Sequence, residues 1–144
     1  LKQKVFKLFP TTKIMKYRII ATLFFFMFII SLLLSIQGIP SICREGEGCD
    51  IVKTSHYAQT FGIYNAYYGV IIFALVTLVS IMQHNKPSKN KKLFLWAASV
   101  IGSLVAIRFI YIQAFILNAY CTYCMIVDVT MILTTLLLFA WREK

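Results

Sequence analysis

Four apolar stretches, separated by polar connections, dominate the chain. Ile19 to Ile36 is broken only by Thr22, Ser31 and Ser35. Ile63 to Met82 carries Asn65 near its start. Leu93 to Leu117 holds one charge, Arg108, and Cys121 to Trp141 holds one, Asp128. A helix that crosses a bilayer needs roughly 20 apolar residues. Backbone groups in lipid must bond within their own segment, so such stretches form helices rather than isolated strands. The pattern predicts an all-α fold: one integral membrane four-helix bundle with helices at about 19–36, 63–82, 93–117 and 121–141. Residues 1–18 form a basic arm before it, and residues 142–144 a short tail.

Composition agrees, since 60% of the residues are hydrophobic against about 45–50% in soluble domains. The first apolar run is longer than the ~7–15 residues of a signal peptide and lacks a small-x-small cleavage site, so it reads as a retained helix. The net charge of +10 does not point to nucleic acid, because the charges are segregated. Lys2, Lys4, Lys7, Lys13, Lys16 and Arg18 precede the first span without an acid. Lys86, Lys89, Lys91 and Lys92 fill the second connection, and Arg142 and Lys144 end the tail. Excess Lys and Arg mark cytoplasmic segments. Both termini and the second connection are therefore expected in the cytoplasm, near anionic lipid. The first connection, Gln37 to Gly62, and the third, Asn118 to Tyr120, then face outward.

The third connection is so short that the last two spans must form a tight hairpin. The first is long, and long loops in compact domains are usually functional. Gly46 and Gly48 make its early part pliable. Asp50 to Phe61 reads as a short amphipathic helix, with Ile51, Ser55, Ala58 and Phe61 along one face, lying as a lid over the bundle. Ala98, Gly102 and Ala106 form a small-residue stripe for close helix packing. Tyr67, Tyr68, Trp96, Tyr111, Tyr120, Tyr123 and Trp141 suit an interfacial aromatic belt.

All four cysteines fall on the outward side, in a compartment that permits disulfides. Cys121-Thr122-Tyr123-Cys124 opens the last helix, where unpaired N–H groups and the helix dipole favour a thiolate. Its pKa should fall below the free value of about 8.5. Cys43 and Cys49 sit in the mobile loop, from which a dithiol could meet an external partner and then the C-x-x-C. Three readings of the cysteines stand side by side: a redox relay, static disulfide staples, and a shared four-cysteine zinc site.

At these residues the chain resembles the vitamin K epoxide reductase family in its prokaryote-type form. The matching pieces are Cys43-x5-Cys49, Gly48-Cys49-Asp50-Ile51-Val52 with Ser55 and Tyr57, Phe61-Gly62-Ile63 leading to Asn65 and Gly69, and Tyr120-Cys121-Thr122-Tyr123-Cys124. The resemblance runs from about Ile19 to Trp141, and its order and spacing are more specific than any single piece. It implies a four-helix catalytic bundle around a quinone of the menaquinone, ubiquinone or vitamin K type. It makes Cys124 the sulfur beside the quinone ring and Cys121 the one that exchanges with the loop. Cys43 and Cys49 would connect a separate thioredoxin-like (DsbA-like) protein to Cys121, in an order left open. Asn65 matches a position that hydrogen-bonds a quinone carbonyl, and Ser55 a lid position near the ring. Asn65 also suits a plain helix cap.

Two departures stand out. Tyr64 replaces a proline common in the family. Asp128 stands where the animal enzymes carry a tyrosine lining the vitamin K site, which puts animal-like epoxide turnover in doubt. Arg108 and Asp128 are each ten residues from Asn118, so they should lie at similar depth. Intramembrane charges tend to pair, and two readings stand: an ion pair beneath the pocket that serves proton supply to the reduced quinone, or an Arg108 that snorkels outward beside a neutral Asp128. The expected function is a thiol:quinone oxidoreductase in a prokaryotic plasma membrane, supporting disulfide formation. The alternatives are a vitamin K epoxide or quinone reductase of an organelle membrane, and a non-catalytic scaffold stapled by disulfides.

Overall fold

The computed structural model describes residues 10–36 and 46–141. Four long helices build it. They are α1 (Pro10–Ser35), α3 (Asn65–Asn85), α4 (Lys89–Tyr111) and α5 (Thr122–Ala140), with a short helix α2 (Gly48–Thr54) between the first two. All four long helices are long and apolar enough to cross a membrane. They are apolar on nearly every side, so large side chains such as Phe25, Ile71, Ile101 and Leu136 remain exposed, as lipid contact requires. Helix α1 begins nine residues before the expected Ile19. Pro10 suits a first helical turn, where its missing N–H has no intrahelical partner to lose.

Helix α1 packs chiefly on α3, and α4 on α5, while α1–α5 and α3–α4 contacts close the bundle. Ile20, Phe24 and Met27 of α1 recur at helical spacing and meet Val76, Leu95, Ala106, Met131 and Leu138 in the core. Small residues let the helices approach. A side chain at Gly69 would meet Ser31 Oγ at 2.9 Å, and Gly102 lies directly under the Met131 side chain. Most buried hydroxyls are bonded, Ser99 Oγ being an exception. Ser35, Thr77, Ser80 and Thr134 donate to the carbonyl one turn back in their own helices. Ser103 and Thr135 bond across the α4–α5 interface at 2.7 Å, and Thr135 also reaches Ser99 O. At the basic end, Lys16 Nζ donates to Trp141 O, tying α1 to the end of α5.

The lid differs from the single amphipathic helix expected over Asp50 to Phe61. Helix α2 starts under Asp50, whose carboxylate accepts the Gly46 N–H at 3.1 Å, and stops at Thr54. There Thr54 and Ser55 turn their hydroxyls back to Asp50 O and Val52 O. Such side-chain bonds compete with helix continuation. A 3₁₀ turn (His56–Ala58) follows, then a two-stranded hairpin of β1 (Gln59–Thr60) and β2 (Ile63–Tyr64). Phe61 and Gly62 form its tip with φ of 55° and 79°. Positive φ at both central residues is the two-residue hairpin geometry that matches strand twist. Phe61 is 96% exposed at the hairpin tip, so it does not share a helical face with Ile51, Ser55 and Ala58.

The α4–α5 connection also departs from a regular helix. After Tyr111 the chain widens into one π-helical turn, Ile112–Ile116, in which Leu117 N–H reaches Ile112 O at 2.9 Å. Asn118 then takes φ 47°, a left-handed conformation that asparagine tolerates better than most residues. The wider turn shifts the register of α4 against the hairpin pivot. Arg108 is exposed and Asp128 is buried, and no ion pair joins them among the described residues. The ion pair expected from the sequence is not formed.

Candidate active site

Among the described residues, Cys49, Ser55, Asn65, Cys121 and Cys124 converge where α2, the hairpin and the ends of the long helices meet. Cys121 is the N-cap of α5. Its backbone is extended, and its Sγ accepts the Cys124 N–H at 3.3 Å. Its own N–H is held by Gln113 Oε1 at 2.9 Å, while the Gln113 carbonyl takes the Ala119 N–H at 3.1 Å. Gln113 is buried. An unpaired N–H at such depth costs about 1–3 kcal/mol, which gives a physical reason for a polar side chain in an otherwise apolar segment. No sequence signal singled Gln113 out, because its partners lie across the turn that the π segment creates.

Cys49 lies in the first turn of α2, with its Sγ 3.6 Å from Cys121 Sγ. Cys49 is disulfide-bonded, whereas Cys121 and Cys124 are free thiols. Cys43 lies outside the described residues. The approach of α2 to α5 depends on Gly48. A Cβ there would collide with the Tyr120 carbonyl oxygen, so the glycine serves close backbone contact more than the pliability inferred from sequence.

The Cys121 thiol is drawn down from its ordinary value of 9.0 to about 7. The hydrogen bond with the Cys124 side chain is the main cause. Burial opposes it, the N–H groups of Cys124 and Tyr123 add to it, and the Lys53 ammonium contributes a further attraction. Helix-end N–H groups and a nearby cation are the ordinary means of stabilising a thiolate. Lys53 was not identified from sequence. It lies on α2, remote in the chain from the cysteine it acts on.

Beside the sulfurs is a cavity of about 830 Å³, within the ~300–1,000 Å³ of small-molecule sites. Cys49, Cys121, Cys124, Ser55 and Asn65 all border it. Asn65 is the first residue of α3, whereas the apolar stretch placed the helix start at Ile63. It is a clamp as well as a wall. Its Oδ1 accepts Thr60 Oγ1 at 2.7 Å, and its Nδ2 donates to Tyr57 O at 2.9 Å. A primary amide carries two N–H donors, so one remains for a ligand. The Ser55 hydroxyl already donates to Val52 O at 2.7 Å, and its lone pairs remain to accept.

The walls suit a flat, largely apolar acceptor such as a quinone. A thiol (Cys124), an amide donor (Asn65) and one buried carboxyl oxygen without a hydrogen-bond partner, Asp128 Oδ2, are set in apolar surroundings. Among the described residues no group of three or more His, Cys, Asp or Glu is placed to hold a metal ion.

Comparison with known proteins adds one match. Residues 15–139 fit the family model described as the Vitamin K epoxide reductase family. A search of curated proteins finds no match. The match spans all four long apolar helices and the sulfur contact between α2 and α5. The chain therefore belongs to the vitamin K epoxide reductase family and is an integral membrane redox enzyme of that kind.

Proposed function

We propose that this enzyme takes electrons from a reduced thioredoxin-like protein and delivers them to a quinone, so driving disulfide formation outside the cytoplasm. Cys43 and Cys49 receive the electrons, and Cys121 and Cys124 pass them on. The orientation that goes with this reading has both termini in the cytoplasm of a prokaryotic cell and the cysteines outward. The observation that carries it is the 3.6 Å contact between the free Cys121 sulfur and the disulfide-bonded Cys49. A static staple would have no use for a free dithiol held against a closed disulfide.

The contact also supports an order for the loop cysteines: Cys49 exchanges with Cys121, and Cys43 serves the external partner. In the forward direction the Cys49 thiolate attacks Cys121 Sγ of an oxidised Cys121–Cys124 pair. The Cys121–Cys124 bond breaks, a Cys49–Cys121 bond forms, and Cys124 leaves as a thiolate at the cavity wall. Cys43 then attacks Cys49 Sγ, which closes the loop disulfide and releases Cys121 as a thiolate. A low pKa makes a sulfur a better leaving group, so the Cys121 value of about 7 favours this release. The described state, with Cys49 in a disulfide and the C-x-x-C open, corresponds to this point. A quinone in the cavity would supply a two-electron, two-proton sink. Cys124 and Asn65 would hold it, and the apolar walls would exclude water. Cys121 and Cys124, having taken up the two protons that Cys43 and Cys49 lose on oxidation, give up two electrons and two protons as their disulfide re-forms.

The test is anaerobic quinone reduction by the full chain in proteoliposomes, followed optically, with a reduced thioredoxin-like donor and a short-chain menaquinone analogue. Wild type should turn over. Cys124→Ala should abolish turnover and accumulate a Cys49–Cys121 mixed disulfide, detected by mass spectrometry. Turnover that survives Cys124→Ala would refute the relay.

A further inference from the structure

Among the described residues, Asp128 is the one buried acid at the cavity. It lies one turn beyond Cys124 on α5, at the i, i+4 spacing that puts both side chains on one helix face, and both border the cavity. It is 8% exposed, and its Oδ2 has no hydrogen-bond partner. A buried carboxyl that stabilises a fold is hydrogen-bonded, and one left unsatisfied calls for another explanation. Acids within a membrane span are costly and mark proton or substrate paths.

The surroundings narrow the role. Among the described residues, Asp128 is the only carboxyl that lines the cavity. Of the other titratable or charged groups that line the cavity, α1 contributes none, and α2 contributes Lys53 and the disulfide-bonded Cys49. The 3₁₀ turn contributes His56 and Tyr57, β2 and α3 contribute only tyrosines, α4 contributes Arg108, and α5 the two thiols. No ion pair ties Asp128 to any of these among the described residues. Its nearest titratable neighbour along its own helix face is the Cys124 thiol.

We infer that Asp128 is the proton carrier of the site, taking the proton that leaves Cys124 and handing it to the oxygen of the reduced acceptor. This rests on the quinone-reductase reading. When the Cys121–Cys124 disulfide forms, two electrons pass to the quinone. The Cys121 proton leaves at the solvent-facing helix end, and the Cys124 proton moves to the Asp128 carboxylate. That proton then passes to a quinol oxygen, which restores the carboxylate, and one proton from solvent completes the quinol. No water-filled route is required from Cys124 to the acceptor.

The experiment compares wild type with Asp128→Asn, which keeps the shape but carries no proton, and Asp128→Glu, which keeps the acid. Two readouts are used. The first is the infrared difference spectrum between the dithiol and disulfide states of the full chain without quinone. It should show a carboxyl C=O band change that is absent in Asp128→Asn and shifted in Asp128→Glu. The second is quinone reduction, where Asp128→Asn should lower kcat about 100-fold, the usual yield of one positioned proton-transfer group, with KM changed less than kcat. Asp128→Glu should recover a substantial part of that loss. Mixed-disulfide formation between Cys49 and Cys121 in a Cys124→Ala background should proceed at the wild-type rate with Asp128→Asn present, which shows that the variant is folded. An unchanged carboxyl band in Asp128→Asn, or a kcat near wild type, overturns the inference. Failure of the wild type itself to reduce quinone, with the Asp128 band intact, would instead overturn the choice of acceptor.

Discussion

Cys121 concentrates the chemistry of this protein in one side chain. Its pKa of about 7 sets the pH range over which the relay should work. A thiol with a depressed pKa is largely thiolate above that value and loses reactivity as protons are added below it. Alkylation of Cys121 by iodoacetamide, resolved by mass spectrometry, should therefore titrate with a midpoint near 7, rather than the ~8.5 of a free cysteine. Below the midpoint the rate should fall about tenfold per pH unit, as the thiolate fraction does. Lys53→Met removes a positive charge that favours the thiolate, so the midpoint should move upward. A midpoint that does not move would take Lys53 out of the account. The cysteine spacing and the helix start were enough to anticipate a lowered pKa. The part played by Lys53 was not, because it acts across space from another helix.

Helix α2 shows how one short element can decide whether sulfur meets sulfur. It is anchored by the Asp50–Gly46 bond at one end and ended by the Thr54 and Ser55 hydroxyls at the other. Gly48 lets it rest on the Tyr120 backbone. Gly48→Ala should push the helix outward, at a cost typical of overpacking, about 1–3 kcal/mol. The measurement is the rate of Cys49–Cys121 mixed-disulfide formation in a Cys124→Ala background, which should fall about tenfold or more, since 1.4 kcal/mol is tenfold. An unchanged rate would mean that α2 reaches Cys121 by another geometry. Hydropathy and periodicity located a lid here, but its break into a helix, a 3₁₀ turn and a hairpin could not be read from them. The break follows from hydroxyl-to-carbonyl bonds and from the Asn65 clamp, which joins Tyr57 and Thr60 to the start of α3. In the same way, the π turn at Ile112–Ile116 changed which residues of α4 face α5. Arg108 and Asp128 both border the cavity, yet they form no ion pair among the described residues.

The whole molecule is a closed bundle with a sulfur-bearing end and a basic end, and its proposed use requires the sulfur end to face outward. Reporter cysteines introduced by Gln59→Cys and Ser88→Cys, in a chain whose native cysteines are replaced by alanine, can test this in intact cells. A membrane-impermeant maleimide should label the first and spare the second until the membrane is opened. Labelling in the reverse pattern would invert the proposed topology. The number of apolar spans and the direction of the lysine bias, from which the proposed orientation is drawn, follow from hydropathy and charge along the chain. These are local quantities, since the bilayer acts on each segment separately. The reach of Cys49 to Cys121 across 72 residues, the Gln113 support and the unpartnered Asp128 oxygen are different in kind. Each depends on which atoms are brought together by helices packed against one another, and a short-range pattern carries no record of those distances.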